Sequence, residues 1–308
     1  MEIQDLLRET GDEVRNTVRE ELPVNKPDEK AERIWEEALT GNSSFNSAVV
    51  GEEGTYTVED NPDYAFLVDP LDGTSGAVNG EFPWVTTGVT VLEDVEVNGD
   101  RLTGSPIGSY IRQIGGSGAE FSSWDGEASI DGEVRFTNLD YEDDLPGTIE
   151  GTEISPRTVE SFEDLDSDRK GLVSAYAAKK GRRPVRESFH EPLEELSDNV
   201  RISLTGGSYT GASVGWGKTL VSGEPKPTLP TEAAGEVFAK AMGAEASNID
   251  GEENDTMTVE IGENSPERTY TAVIAANEDI LDESLKALDI EGLEEAYSDE
   301  FETYRTLM

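Results

Sequence analysis

An apolar run, Tyr64-Ala65-Phe66-Leu67-Val68, passes without a break into Asp69-Pro70-Leu71-Asp72-Gly73-Thr74. Short apolar runs set off by Gly, Asn, Asp and Pro read as strands. Acids at the end of such a strand, followed by glycine, face a site rather than bulk solvent. With Gly51-Glu52-Glu53 shortly upstream, the stretch offers the carboxylates of Glu52, Asp69 and Asp72 beside a small hydroxyl residue, Thr74. Magnesium takes near-octahedral oxygen ligation and is usually held by a few carboxylates plus substrate phosphate. Two such ions can stabilise both the attacking and the leaving oxygens of a phosphoryl displacement. The segment therefore points to metal-assisted hydrolysis of a phosphate ester.

The rest of the chain folds under an unusual charge. Against 24 basic residues stand 67 acidic ones, a formal net charge of −43 over 308 residues. The acids are dispersed along the chain rather than gathered in a tail. In dilute buffer such self-repulsion destabilises a compact state, but at molar salt the Debye length falls to ~3 Å and the repulsion is screened. This is the surface expected of a protein adapted to very salty cytoplasm. Nucleic acid and anionic membranes are poor partners for it, and a phosphate substrate is tolerated only where metal ions locally reverse the sign. With no cysteine in the chain, disulfides, thiolate catalysis and zinc–thiolate sites are excluded. Met1 to Glu13 lacks the apolar core of a signal peptide, and no run reaches the ~18 apolar residues of a membrane span. A cytoplasmic location is expected.

Helical spacing over residues 1–22 (Ile3, Leu6, Leu7, Val14, Val18) ends at Pro23, and a second helix is expected from Asp28 to Gly41. Runs at Ala48–Val50, Tyr64–Val68, Val85–Leu92, Ser109–Ile114 and Ala119–Ser122 read as an antiparallel meander. Tyr141–Gly151 reads as an acidic loop and Ser161–Asp168 as an exposed insertion. Beyond Gly171 strands (Leu172–Ala177, Val200–Leu204, Thr256–Ile261, Thr269–Ala275) alternate with helices (Pro184–Leu196, Thr210–Val221, Glu232–Met242, Glu278–Leu288). That alternation argues for an α/β layer. Two units follow: residues 1–168, helices plus an antiparallel sheet carrying the metal site, and residues 169–308, an α/β unit.

Asp69–Thr74 matches in full the D-P-[IL]-D-G-[TS] core of the magnesium-dependent inositol monophosphatase family, which includes archaeal fructose-1,6-bisphosphatases. The chain resembles that family also at Gly51–Glu53, Asp60-Asn61-Pro62, Ala272–Asn277 and, loosely, Gly211–Gly223, set against its G-[ST]-A-A helix. The resemblance implies a layered αβαβα sandwich of the α/β (α+β) class and a soluble phosphatase acting on a small phosphorylated sugar or polyol, with a nucleotide bisphosphate as a second substrate option. It implies two or three Mg2+ ions, Mn2+ being a possible substitute, and a homodimer. Glu52, Asp69 and the Leu71 carbonyl would hold the first ion, and Asp69 with Asp72 the second. Thr74 would lie near the attacking water and pair with Asp28 as a general-base relay. The N–H groups of Gly73, Thr74 and Ser75 would cradle the phosphate. The third metal segment departs from the family's W-D-x-A-[AG]-G: Thr231-Glu232-Ala233-Ala234-Gly235 carries glutamate for aspartate and no tryptophan. Glu232 is a candidate ligand displaced by a methylene, or else an acid favoured by a helix dipole. That replacement keeps open a second reading, a catalytically impaired member serving as a metal-stabilised structural or interaction protein.

Lys179-Lys180-Gly181-Arg182-Arg183-Pro184-Val185-Arg186 gathers five of the 24 basic residues. Between a strand end and a helix start, Arg182 and Arg183 are candidates to grip a second phosphate. The alternative is a patch answering local acids such as Glu191, Glu194 and Glu195. His190, the only histidine, reads as a helix-surface residue, since the chemistry needs no imidazole. Trp84, Trp124 and Trp216 read as packing residues.

Overall fold

A computed structural model of the chain describes residues 3–21, 27–41, 44–52, 54–73, 85–115, 118–131, 159–166, 170–177, 180–262 and 266–307. The chain opens with α1 (Ile3–Glu21) and α2 (Pro27–Thr40), each amphipathic. Leu6, Leu7, Val14 and Val18 line the buried stripe of α1, and Ala31, Trp35 and Leu39 that of α2. Such i, i+4 spacing puts the apolar groups on one face. Pro27 opens α2 where a missing N–H costs nothing.

Strands β1 (Ser47–Gly51), β2 (Gly54–Val58), β3 (Tyr64–Asp72), β4 (Thr86–Asn98), β5 (Arg101–Gln113), β6 (Glu120–Trp124) and β7 (Glu127–Asp131) follow. They form one sheet in the order β2-β1-β3-β4-β5-β6-β7. All neighbours along that path are antiparallel except β1 and β3, which run parallel. A second sheet comes from β8 (Gly171–Ala175), β9 (Val200–Ser203), β10 (Val221–Thr228), β11 (Glu245–Ser247) and β13 (Tyr270–Ala275), in the order β11-β13-β10-β8-β9. Strand β12 (Met257–Glu260), although late in the chain, pairs with Arg101–Gly104 of β5 in the first sheet. The remaining helices are α3, a segment over 183–194 with a π turn at Arg186–His190, then α4 (Ser208–Gly215), α5 (Ala234–Ala241), α6 (Glu278–Ala287), α7 (Ile290–Ala296) and α8 (Ser298–Leu307).

The period-2 alternation of strands sorts the layers. Val49, Phe66, Val68, Val89 and Val91 pack against α1 and α2, whereas Ala48, Val50, Ala65, Leu67 and Leu92 face Val214, Ala233 and Ala239 of the inner helices. Ala272 and Ile274 of β13 meet those inner helices from the other side. Val173, Val221, Val273 and Ala275 look outward to Phe189, Ile280, Leu293 and Phe301. The result is helix, sheet, helix, sheet, helix, the αβαβα class the motifs led one to expect.

Several local expectations change. The meander is not antiparallel throughout, since β1 and β3 run parallel, and the strand expected over Thr256–Ile261 joins the first sheet rather than the later α/β layer. Residues 221–228 are a strand inside the second sheet, and the preceding helix ends at Gly215 rather than Val221. Ser161–Asp168, expected as an exposed insertion, buries Phe162 and Leu165 against the outer helices as far as the described residue 166. Two further helices, α7 and α8, follow the expected closing one. His190 is not on a surface: it is 1% exposed within the π turn. Tyr141–Gly151 and Trp84 lie outside the described residues.

Candidate active site

Two parallel strands deliver the first acids. Gly51 of β1 stands opposite Val68 of β3, so Glu52 emerges alongside Asp69 at the carboxyl ends of both strands. Residues three apart on a regular strand project to opposite faces. The β3–β4 register corrects this: Asp69 pairs with Gly88 and Asp72 with Thr86, one residue more on β3 than on β4. This bulge falls at Pro70, which has no N–H for the ladder, and re-aims the two carboxylates toward each other. Gly73, at φ 86°, then turns the chain in a conformation that favours glycine. Asp69 is 5% exposed, and its Oδ1 accepts the Leu71 N–H at 3.2 Å. Trp35 of α2 donates to Thr87 Oγ1 at 2.7 Å, and that hydroxyl lies 3.5 Å from the Asp69 carbonyl oxygen. The first helix pair thus holds the acidic strand end from behind.

The second half of the chain supplies the opposite wall. Ser208 N–H, at the start of α4, donates to Asp72 Oδ2 at 2.7 Å. Gly207 N–H donates to Glu224 Oε1 at 3.0 Å. Gly207 sits at φ 87°, and a Cβ there would overlap the Asp72 carboxylate; the position admits glycine alone on both counts. Glu232 falls in the short helical turn Pro230–Ala233 leading into α5, where Thr228 Oγ1 donates to its Oε1 at 2.5 Å. At Gly235 an added Cβ would collide with the Ser208 backbone, so the Ala233-Ala234-Gly235 run lets α5 lie against α4.

These carboxylates repel one another in a poorly solvated place. Burial, then Asp72, Glu52 and Glu232, hold Asp69 well above the ordinary carboxylate range, against the Leu71 N–H. Asp72 is pushed up to about 7, first by burial, then by Glu232, with the Ser208 N–H opposing. Glu224 rises to about 8, again by burial first and Glu232 second. Among the described residues, no three acids close into a ligand set around one point. Asp69, Asp72, Glu224 and Glu232 instead rest on backbone N–H and hydroxyl donors. The donor set is chemically right for a hard cation, all oxygen and mutually repelling, and a cation among these groups would offset the repulsion.

Other expected residues are placed as follows. Leu71 is buried within the bulge. Asp28 lies in the first turn of α2, half-buried, and Glu52 is exposed. Thr74 and Ser75 lie outside the described residues, as do Glu53 and Lys179. Arg182 is half-buried, its guanidinium 5.3 Å from the centre of the Tyr176 ring. Arg183 is exposed and turned to Glu187 at 2.6 Å, while Arg186 faces Glu191 at 3.6 Å. Sequence reasoning missed Gly207, Ser208 and Glu224 as neighbours of the acids. The polar alternation Glu224, Lys226, Thr228 was the available signal, masked by Pro225 and Pro227 between them.

No protein-family description and no curated protein sequence matches the chain. Solved structures do. SuhB, an extragenic suppressor protein from Bartonella henselae, superposes with a TM-score of 0.66 at 16% identity over 93% of this chain and 98% of its own. SaIMPase-II with inositol monophosphate bound matches over 99% of both chains at 15% identity, TM-score 0.64. A hypothetical protein of Pyrococcus horikoshii with similarities to inositol-1 monophosphatase matches at 21% identity over 87% of this chain and 86% of its own, TM-score 0.58. The fold is that of the inositol monophosphatases. Within the inositol monophosphatase fold of this chain, the two sheets meet at the cluster of Asp69, Asp72, Glu224 and Glu232.

Proposed function

We propose that the chain is a magnesium-dependent phosphatase acting on a small phosphorylated sugar or polyol. The observation that carries this reading is the burial of Asp69 and Asp72 beside Glu232, at an energetic cost that a bound cation relieves. The neighbouring structures include SaIMPase-II with inositol monophosphate and with 2′-AMP, both phosphomonoesters. Glu52, Asp69, Asp72, the Leu71 carbonyl and Glu232 would hold the metal. Magnesium bound there, with manganese as a possible substitute, supplies Lewis-acid polarisation of the phosphoryl group and a more acidic water.

The chain's own groups do the rest. Thr74 would accept the proton of the attacking water while passing its own hydroxyl proton to Asp28, which would act as the final base. The N–H groups of Gly73, Thr74 and Ser75 hold the phosphate oxygens. Ser208 N–H, now on Asp72, keeps that carboxylate aimed while its charge is in use. Glu224, next to the acids yet farther along β10, is suited to accept polyol hydroxyls. Asp72→Asn removes one negative ligand while keeping the shape and the Ser208 contact. It should abolish magnesium-dependent phosphate release in concentrated KCl, and undiminished turnover would refute the assignment.

A further inference from the structure

A cavity of about 270 Å³ lies between α5, strands β5 and β6 and the loop before β12. That is just under the ordinary size of a small-molecule pocket, about 300–1,000 Å³. One wall is apolar, from Pro106 and Ile107 of β5 and Val237 and Ala241 of α5. The other holds Glu236 and Asn254, exposed by only 1% and 6%. Glu236 Oε2 accepts the Tyr270 hydroxyl at 2.7 Å and Asn254 Nδ2 at 2.9 Å. Asn254 Nδ2 also donates to the Thr271 carbonyl oxygen at 3.0 Å. With both amide hydrogens spent on acceptors, the carboxamide cannot be turned round. Among the described residues no donor reaches Glu236 Oε1 or Asn254 Oδ1, yet neither oxygen is sealed inside the protein. Nor does any cation among the described residues form an ion pair with Glu236. Lys240, one turn on along α5, goes instead to Asp255 at 3.2 Å and Glu253 at 4.0 Å. Burial pushes the Glu236 carboxyl up to about 7, against the hydrogen bonds from Tyr270 and Asn254 and the charge of Lys240.

A buried carboxylate without a counter-charge costs stability, and acceptors left without donors add to that cost. A cation that carries N–H groups relieves both at once. A metal ion suits the cavity less well, since it needs several oxygens around it and the side chains of Pro106, Ile107, Val237 and Ala241 offer none. We propose that this cavity binds a small organic ligand bearing a primary ammonium group. The ammonium donates to Glu236 Oε1 and Asn254 Oδ1, and the hydrocarbon portion lies on the wall of Pro106, Ile107, Val237 and Ala241. Around the ammonium, Glu236 and Asp255 outweigh Lys240 in charge. The site uses none of the residues assigned to phosphate hydrolysis, so it stands or falls apart from that reading.

Ligand-observed NMR titration of the full chain in molar KCl, at about pH 8 where the Glu236 carboxyl is ionised, tests it with three probes. n-Butylammonium should saturate one site with a Kd of about 1 mM. n-Butanol, which lacks the charge, and n-butyltrimethylammonium, which lacks the N–H groups, should each bind about tenfold more weakly or worse. Glu236→Gln keeps the shape and an acceptor for Tyr270, so the melting temperature should hold or rise, while the affinity for n-butylammonium falls about tenfold or more. Ala241→Leu, which fills the apolar wall and leaves both oxygens in place, should weaken binding about threefold or more. Failure of n-butylammonium to bind, equal binding of either control probe, or an affinity untouched in either variant overturns the inference. So does binding that emerges only when sodium replaces potassium, an outcome that gives the site to the metal ion.

Discussion

His190 offers a clean perturbation of stability. Its ring is 1% exposed and neither nitrogen has a hydrogen-bond partner. Burial, then Arg186, push the imidazole down to about 4 from an ordinary 6.5. Between those values the unfolded chain binds a proton that the folded chain refuses, so stability rises with pH. The full contribution is present above pH 6.5 and is lost as pH falls toward 4. At pH 4.5 the linkage amounts to about 2.5 kcal/mol, from the two values and 1.36 kcal/mol per unit. His190→Leu, close in volume, removes that penalty and also two unsatisfied buried nitrogens, the latter worth about 1–3 kcal/mol at any pH. Urea unfolding at constant molar KCl should therefore show the variant more stable at pH 8, and its advantage should grow by about 2.5 kcal/mol at pH 4.5. Taking the difference between variant and parent cancels the common protonation of surface acids. An advantage that stays constant across this range would refute the buried neutral imidazole.

Gly207→Ala places a methyl group against the Asp72 carboxylate at a backbone angle unfavourable to alanine. It should cut phosphate release by more than about tenfold while the melting temperature falls by only a few degrees; unchanged release would mean that Asp72 and α4 are not coupled in the working state. Dilution of KCl from molar to about 0.1 M lengthens the Debye length from ~3 to ~10 Å. With a net charge of −43, the melting temperature should drop steadily over that range, and a flat profile would remove the argument for a salt-adapted surface.

The acidic strand was legible because burial and punctuation agree there. Tyr64–Val68 is apolar throughout, Gly73 closes it, and the register of β1 against β3 brings Glu52 beside Asp69. What letters alone did not reveal is the bulge, since only the pairing of Asp69 with Gly88 and Asp72 with Thr86 discloses the extra residue. Strand β10 was hidden by Pro225 and Pro227, which argue against a central strand. The ladder accommodates them because β10–β13 pairing is irregular between Glu224 and Thr228, and β8 pairs only with Val221–Gly223. With the strand went Glu224, which lies beside the acids. His190 was misplaced for a related reason. A polar residue on a helix defaults to the surface, but the π turn rotates this one inward beside Phe189.

Strand β12 has a consequence for how the molecule is born. Until residues near 260 have left the ribosome, Arg101–Gly104 of β5 lacks the partner that β12 provides. Val214, Ala233 and Ala239, needed to cover Leu67 and Leu92, are likewise still to come. The early half therefore waits with one strand margin bare, a template for stray pairing with neighbouring nascent chains. Cutting the gene near residue 168 should yield an aggregate rather than an independent module, so the halves mature as one cooperative unit.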